Sequence, residues 1–280
     1  MKPIFIAMAV ISVFTVIVSF SSASVAGVPI FLACVTLAML IQWCAFVPAY
    51  LQQTEKFYDL TGSFSFIVTV AAALILAGKY DVRSLLLASL VILWAVRLGS
   101  FLVARIHQDG GDDRFDKIKP HPKRFFLTWT LQGLWVSITA STAIAAMSST
   151  EVVELSLYDL NAVIIWMIGF GIEVVADAQK RRFRERNGSD TFITEGLWAY
   201  SRHPNYFGEI VLWIGIALLA IPALQGSAYL TLLSPVFVFV LLTRISGIPM
   251  LEKKADAKWG QSDAYQTYKA KTPLLVPFVR

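Results

Sequence analysis

The chain has 280 residues, of which 56% are hydrophobic and 15% charged, and its mean hydropathy is +0.64. A water-soluble domain of this size needs far more polar residues to cover its surface, so a water-soluble fold is excluded. The net charge of +5 comes from basic residues that avoid the apolar runs and gather between them, the pattern of a protein beside anionic lipid headgroups, which calls for no nucleic acid as a partner.

Eight apolar stretches follow in chain order, near 4–22, 28–50, 63–78, 84–104, 125–147, 160–178, 208–223 and 228–245. Several reach the roughly 20 residues a spanning helix requires. The first could pass for a signal peptide, with Ala23-Ser24-Val25-Ala26 as a cleavage site, but a second apolar run follows at once and a retained helix is expected. Cys34 and Cys44 share one run without a CxxC neighbour and are expected as buried thiols. Lysine and arginine alternate between loops as the positive-inside rule requires. With the N-terminus inside, the cytoplasmic segments hold 21 of the 24, leaving Lys79 and Arg83 outside and Arg97 within a helix. The count supports eight spans with both termini cytoplasmic, or seven if the first run is not one. No internal repeat or linker divides the chain, so an all-α bundle is predicted, with 1–50 as its N-terminal helices. In the tail, Leu251, Ala255, Trp259, Tyr265 and Tyr268 sit among lysines and aspartates, as in an interfacial helix with aromatic anchors, and Leu274 to Phe278 is expected to dock back on the bundle.

Ionisable side chains within spans are costly and face protein or a water-filled cavity. Arg97 shares a helix face with Trp94, Phe101 and Arg105; it either snorkels, pairs for structure or serves a site. Glu173 and Asp177 are one turn apart, and their face continues through Arg181 and Arg184, as a self-neutralising ladder or one wall of a polar cavity. The densest signal is Glu195-Gly-Leu-Trp-Ala-Tyr-Ser-Arg-His-Pro-Asn-Tyr-Phe-Gly-Glu209. Pro204 suits a first helical turn, His203 or Ser201 can cap, and the free N–H groups of such a helix start attract anions. Arg202 adds charge, and Asn205 and Glu209 face the same way. Arg244 ends the last span, where the macrodipole alone favours it. Individually each is bland, but together these arginines and the helix start are expected to form a pocket for a phosphate-bearing ligand. His107, His121 and His203 are scattered, so no metal site is predicted. Asp109 to Asp116 is spaced like the start of a calcium loop, but its twelfth position is Pro120.

Arg202-His-Pro-Asn-Tyr-Phe-Gly-Glu209 and Asp112-Asp-Arg-Phe-Asp116 resemble the bacterial membrane proteins related to steroid 5α-reductases, from about Gln52 to the C-terminus. Their superfamily includes sterol reductases and, more distantly, isoprenylcysteine and phospholipid methyltransferases, which share an Arg-His-Pro-x-Tyr element and a Tyr-x-x-Tyr tail like Tyr265-Gln-Thr-Tyr268. The resemblance implies a catalytic membrane domain over 51–280 and NADPH in a cytoplasm-facing cavity. In the reductases the cofactor is held by an Asn/Asp pair, an Arg two turns on, an Asn-x-x-x-Glu element and an Arg ending the last helix. Here Glu173 replaces the Asn, while Asp177, Arg184, Asn205, Glu209 and Arg244 match; Arg181, Arg202, His203 and Tyr206 belong to the same implied site. At the acceptor end, Gln52-Gln53-Thr-Glu55-Lys-Phe-Tyr58-Asp59 stands where reductases place a Gln-Glu pair, and Trp94 stands near a substrate-gripping Tyr. Gln53, Trp94 and Arg97 are thus implied for substrate, with the acid unassigned among Glu55, Tyr58 and Asp59. The implied reaction is hydride transfer from NADPH to the β-carbon of a conjugated enone in a steroid or other lipid, within a bacterial inner membrane. The alternatives are an S-adenosylmethionine-dependent lipid or isoprenylcysteine-type methyltransferase, against which Glu252 followed by Lys253 rather than a second Glu argues, and a non-enzymatic lipid-binding protein.

Overall fold

The computed structural model describes residues 2–188 and 190–279, excepting the side chains of residues 108, 109 and 113. Arg280 of the basic tail and the carboxylates of Asp109 and Asp113 in the acidic loop lie outside the described residues. The chain is 77% helical. Its helices are α1 (Lys2–Ser19), α2 (Ile30–Leu51), α3 (Tyr58–Ala77), α4 (Val82–Asp109), α5 (Pro122–Thr139) and α6 (Ser141–Met147), then α7 (Leu157–Asn187), α8 (Pro204–Ala220), α9 (Leu233–Val240), α10 (Gly247–Trp259) and α11 (Asp263–Lys271). Among the described residues the strands are one ribbon, β1 (Ser24–Val25) paired antiparallel with β2 (Val28–Pro29).

Seven helical segments are long and apolar enough to cross a bilayer, and the protein is an integral membrane protein of the polytopic helical class. The seven include the first apolar run and omit the fifth, near 125–147, whereas the sequence pointed to the first as the doubtful one. The reason is polar content. α5 runs into α6 through the helical residue Ala140, and Thr130, Gln132, Ser137, Thr139, Ser141 and Thr142 on this rod are buried. A helix surrounded by protein rather than lipid can carry hydroxyls as long as they find partners. Thr142 Oγ1 donates to the Thr231 carbonyl at 2.6 Å, Ser234 Oγ to that of Thr139 at 2.6 Å, and Trp43 Nε1 to Thr130 Oγ1 at 3.2 Å.

The chain divides into two compact units, Met1–Ser156 with Leu219–Ser234, and Leu157–Leu218 with Pro235–Arg280. In the first, α5 packs on α2, and α3 packs on both α2 and α4. Asp81 caps α4, accepting from Ser84 N at 3.1 Å. Lys79 and Arg83, the bases that break the positive-inside count, clamp the 149–154 loop: Arg83 is 3% exposed and donates to the Val153 carbonyl at 2.7 Å, and Lys79 Nζ donates to that of Glu151. Cys34 is buried as expected, but Cys44 is exposed.

In the second unit, α7 is 31 residues long, about 46 Å at 1.5 Å per residue against a hydrocarbon core of about 30 Å. Its basic last turns therefore project beyond the apolar stretch. α7 and α8 meet backbone to backbone. A Cβ on Gly208 would lie 2.6 Å from the Gly169 oxygen and 2.7 Å from Glu173 N, and one on Gly215 would lie 2.7 Å from Trp166 N, so only glycine permits this approach.

Candidate functional site

The glycine contacts fix an antiparallel register in which Trp166 faces Gly215 and Glu173 faces Gly208. One turn further, the same register puts Asp177 opposite the start of α8, where Asn205 stands. Glu173, Asp177 and Glu209 are 3%, 6% and 8% exposed. Carboxylates so buried within a membrane protein belong to a polar interior rather than to the lipid face.

The loop before α8 is folded back along α7. Trp198 Nε1 donates to the Ala176 carbonyl at 3.0 Å, and Leu197 N to Gln179 Oε1 at 2.9 Å. The C-terminal residues strap the same loop from its other side: Arg202 N donates to the Pro273 carbonyl at 2.9 Å, Ser201 Oγ to that of Leu275 at 2.7 Å, and Phe278 packs on Tyr200 with ring centroids 5.1 Å apart. Ser201 Oγ also accepts from His203 N at 3.2 Å.

Glu252 on α10 is the electrostatic hub. It forms an ion pair with Arg202, its Oε1 lies 2.9 Å from His203 Nε2, and Lys269 lies 3.6 Å away. Burial pushes the His203 imidazole below its ordinary pKa even though Glu252 pulls the other way. A neutral imidazole beside a carboxylate places its proton on Nε2, which leaves Nδ1 as a lone-pair acceptor. That Nδ1 is buried without a hydrogen-bond partner, and so are Arg202 Nε and Asn205 Oδ1. Three orphaned polar atoms within four residues need a ligand or ordered water to satisfy them.

Beside this loop lies a cavity of about 300 Å³. From α7 it takes Lys180, Phe183 and Arg184; from the loop, Phe192, Trp198, Arg202 and His203; from α10, Leu251, Glu252, Lys254, Ala255, Lys258 and Trp259; and from α11, Tyr265 and Tyr268. Lys180 Nζ sits 4.5 Å from the Trp198 ring centroid. Phe192 packs edge-on against Tyr265 at 5.2 Å, and the Tyr268 hydroxyl donates to the Trp198 carbonyl at 2.7 Å. Burial raises both phenols, Tyr265 to about 12, so they are neutral donors. The tail aromatics expected as interfacial anchors thus turn inward, because α11 folds back and the loop offers them carbonyls and rings.

Of the residues singled out from the sequence, Arg184, Arg202 and His203 line this cavity. Arg181 does not; it is exposed and lies 3.9 Å from Glu185. Tyr206 stacks on His203 and packs against Gly247. Arg244 is exposed on a π-helical turn, Leu241–Ile245, a distortion frequent at functional positions. Lys180, Glu252, Lys254 and Lys258 are the charged lining residues that sequence reasoning did not assign to the site, and most of the aromatic and apolar lining is likewise new to it.

The residues implied for substrate lie in the first unit. Glu55, 5% exposed, accepts from Lys119 Nζ at 2.6 Å and from Asp112 N at 3.1 Å. Burial alone would raise its carboxyl, but these donors outweigh it and hold the pKa below the ordinary value, and the Lys119 ammonium is raised in turn. Asp59 meets Arg105 at 3.2 Å. The Tyr58 hydroxyl donates to the Thr128 carbonyl at 3.1 Å, with its ring against Phe115 and Trp129. Trp94 is fully buried against Phe66, Arg97 lies over Phe101 at 5.4 Å, and Gln53 is exposed, its amide donating to the Tyr50 carbonyl at 2.7 Å.

Fold and site define a polytopic helical membrane protein with a basic, aromatic-walled cavity beside an Arg-His-Pro-Asn helix start. The chain belongs to the DUF1295 family, described as proteins of unknown function, which it matches over residues 45–272; this is the steroid 5α-reductase-like family that the Arg202–Glu209 motif resembles. It is 32% identical over 121 residues to 3-oxo-5-alpha-steroid 4-dehydrogenase 1 of Rattus norvegicus, a match spanning 43% of this chain and 41% of that protein's length. No solved structure matches the chain.

Proposed function

We propose that this protein is a membrane reductase that uses NADPH to saturate the C=C bond of a conjugated enone in a lipidic substrate, 3-oxo-4-ene steroids being the class to test first. Its setting in this reading is a bacterial inner membrane with both termini cytoplasmic. The observation that carries the reading is the trio of buried, unpartnered atoms on Arg202, His203 and Asn205 beside a cavity rich in cations. His203 Nδ1 and Asn205 Oδ1 suit the hydroxyl or amide donors of a nucleotide, and Arg202 with Arg184 suits its phosphates. S-adenosylmethionine carries a cationic sulfur and no phosphate, so it gains little from this lining.

NADPH, when bound, supplies the hydride that reaches the β-carbon of the enone. The chain's share is to orient it and to stabilise the oxygen on which charge develops. In this reading Asp177, Asn205 and Glu209 position the cofactor from the α7–α8 register, Glu173 stands beside them, Tyr206 and Arg244 border the site, and Arg181 stays outside it, paired with Glu185. Glu55, Tyr58 and Asp59 serve the substrate oxygen, and Gln53, Trp94 and Arg97 serve substrate binding.

Purified protein in detergent is expected to be stabilised against thermal unfolding by NADPH and not by S-adenosylmethionine, and to oxidise NADPH when a 3-oxo-4-ene steroid is added. Stabilisation by S-adenosylmethionine alone would replace this reading with methyl transfer. Full function after Asp177→Ala or Glu209→Ala would leave a lipid-binding protein instead.

A further inference from the structure

We propose that the mouth of the cavity is a subsite for an aromatic heterocycle bearing a phosphomonoester, the adenosine 2′-phosphate end of the dinucleotide, in which Lys254 and Lys258 read the phosphate. The inference rests on the dinucleotide reading and adds to it the residues that separate the phosphorylated from the unphosphorylated cofactor.

α10 presents one continuous face to the cavity. Leu251, Lys254, Ala255, Lys258 and Trp259 recur at the three- and four-residue spacing of a single helix side. Both lysines are therefore aimed at the same space. Opposite them α7 contributes Lys180 and Arg184, and Phe192 and Trp259, packed on each other with centroids 5.7 Å apart, form an aromatic wall of the cavity. Aromatic walls suit a planar ring by stacking.

Charge decides what accompanies that ring. The lining holds Lys180, Arg184, Arg202, Lys254 and Lys258 against Glu252, an excess of four positive charges. Lys258 also lies 3.0 Å from Asp190, but Asp190 is almost fully solvated and the pair is screened. A pyrophosphate carries about two negative charges, and a phosphomonoester adds roughly 1.5 to 2 more. The lining matches the larger total. Trp259 Nε1 donates to the Asp190 carbonyl at 2.8 Å, which ties the C-terminal end of α10 to the loop that supplies Phe192.

The test uses two fragments, 2′-phospho-ADP-ribose and ADP-ribose, titrated against the full-length protein in detergent with tryptophan fluorescence as readout. The wild type is expected to prefer the phosphorylated fragment by at least about tenfold, the size of one or two charge-assisted hydrogen bonds. Lys254→Met/Lys258→Met is expected to bring the ratio close to unity while ADP-ribose affinity stays within about twofold. Lys254→Arg/Lys258→Arg keeps both charges and is expected to retain the preference. Both lysines are exposed, so neither double variant endangers folding, and thermal unfolding checks this. A methionine variant that keeps the preference, or loses affinity for both fragments equally, overturns the subsite but leaves the dinucleotide reading standing. Failure of the wild type to bind NADPH or either fragment overturns both.

Discussion

Gly208 lies inside the Arg202–Glu209 motif, and its role is steric. In Gly208→Ala the new methyl would lie 2.6 Å from the Gly169 carbonyl oxygen and 2.7 Å from Glu173 N, where ordinary contact is 3.4–4 Å. Both obstacles are backbone, so no side chain can rotate away; α7 and α8 must part by about 1 Å, at an overpacking cost of about 3 kcal/mol. Alanine recovers about 1 kcal/mol of helix propensity, leaving a net loss of about 2 kcal/mol. In a chain of this size that corresponds to a Tm lower by about 4–8 °C. Gly171, also on α7, is the matched control, because a Cβ added there would meet nothing within 4 Å. Gly171→Ala is therefore expected to be neutral or stabilising by up to about 1 kcal/mol. Intrinsic fluorescence during heating in detergent measures both. Parting the helices also separates Asp177 from Asn205, so NADPH affinity is expected to fall in Gly208→Ala and not in Gly171→Ala. If Gly208→Ala proves as stable as Gly171→Ala, the α7–α8 register and the site built on it are wrong.

Glu252→Gln removes the carboxylate shared by Arg202, His203 and Lys269. Because Arg202 and Glu252 keep some exposure, a loss of about 2–3 kcal/mol is expected, below that of a fully buried pair, and thermal unfolding reads it. Lys119→Met strands the Glu55 carboxylate and is expected to cost about 3 kcal/mol, most of it recovered in Lys119→Met/Glu55→Leu by a double-mutant cycle. The pH dependence has a definite sign. The lowered Glu55 carboxyl contributes stability that is fully present above its unfolded pKa and lost as pH falls through the folded value, while the raised Lys119 ammonium contributes below its unfolded pKa and loses this as pH rises through the folded one. Tm measured against pH is therefore expected to be flat near neutrality, with a shallower acid decline in Glu55→Gln. Tyr58→Phe forfeits one hydrogen bond, about 1 kcal/mol, yet is expected to lower kcat about 100-fold in the reductase assay if the hydroxyl serves the substrate oxygen.

The helical class and the basic loops were legible because apolar runs and charge placement act through composition, which a sequence displays directly. The fifth stretch is the least apolar of the eight because α5 with α6 is packed in protein and carries buried hydroxyls and an amide there. The α7 face was read one residue off. At 100° per residue, Lys180 and Arg184 both lie within about 20° of the direction of Glu173, whereas Arg181 lies about 80° away. The seven-residue step from Glu173 to Lys180 was the available signal, and spacing by fours led past it to Arg181, which the structure leaves at the surface. Gly169, Gly208 and Gly215 carried their message only as a pair of helices, since a close approach needs a partner that one helix cannot name.

The tail shows a different limit. Alternation of aromatic and charged residues between Leu251 and Tyr268 is the same whether the rings meet lipid or one another, because both environments reward an apolar face with a polar rim. What separates the two is the hydrogen-bonding of the polar ends. Tyr268 gives its proton to the Trp198 carbonyl, Trp259 to that of Asp190, and Tyr265 approaches Asp256 at 3.3 Å. Each acceptor is protein, so the rings are committed to the cavity and the lysines between them are left to define its charge. At the acceptor end of the proposed reaction the three candidate side chains differ in what they bond. Glu55 accepts from Lys119, and Asp59 lies 3.2 Å from Arg105. Tyr58 keeps its proton and holds it against a neutral carbonyl, Thr128, at 3.1 Å. Exchanging that carbonyl for one on a substrate would break no ion pair, so Tyr58→Phe is the most direct test of a donor at the acceptor end of the proposed reaction.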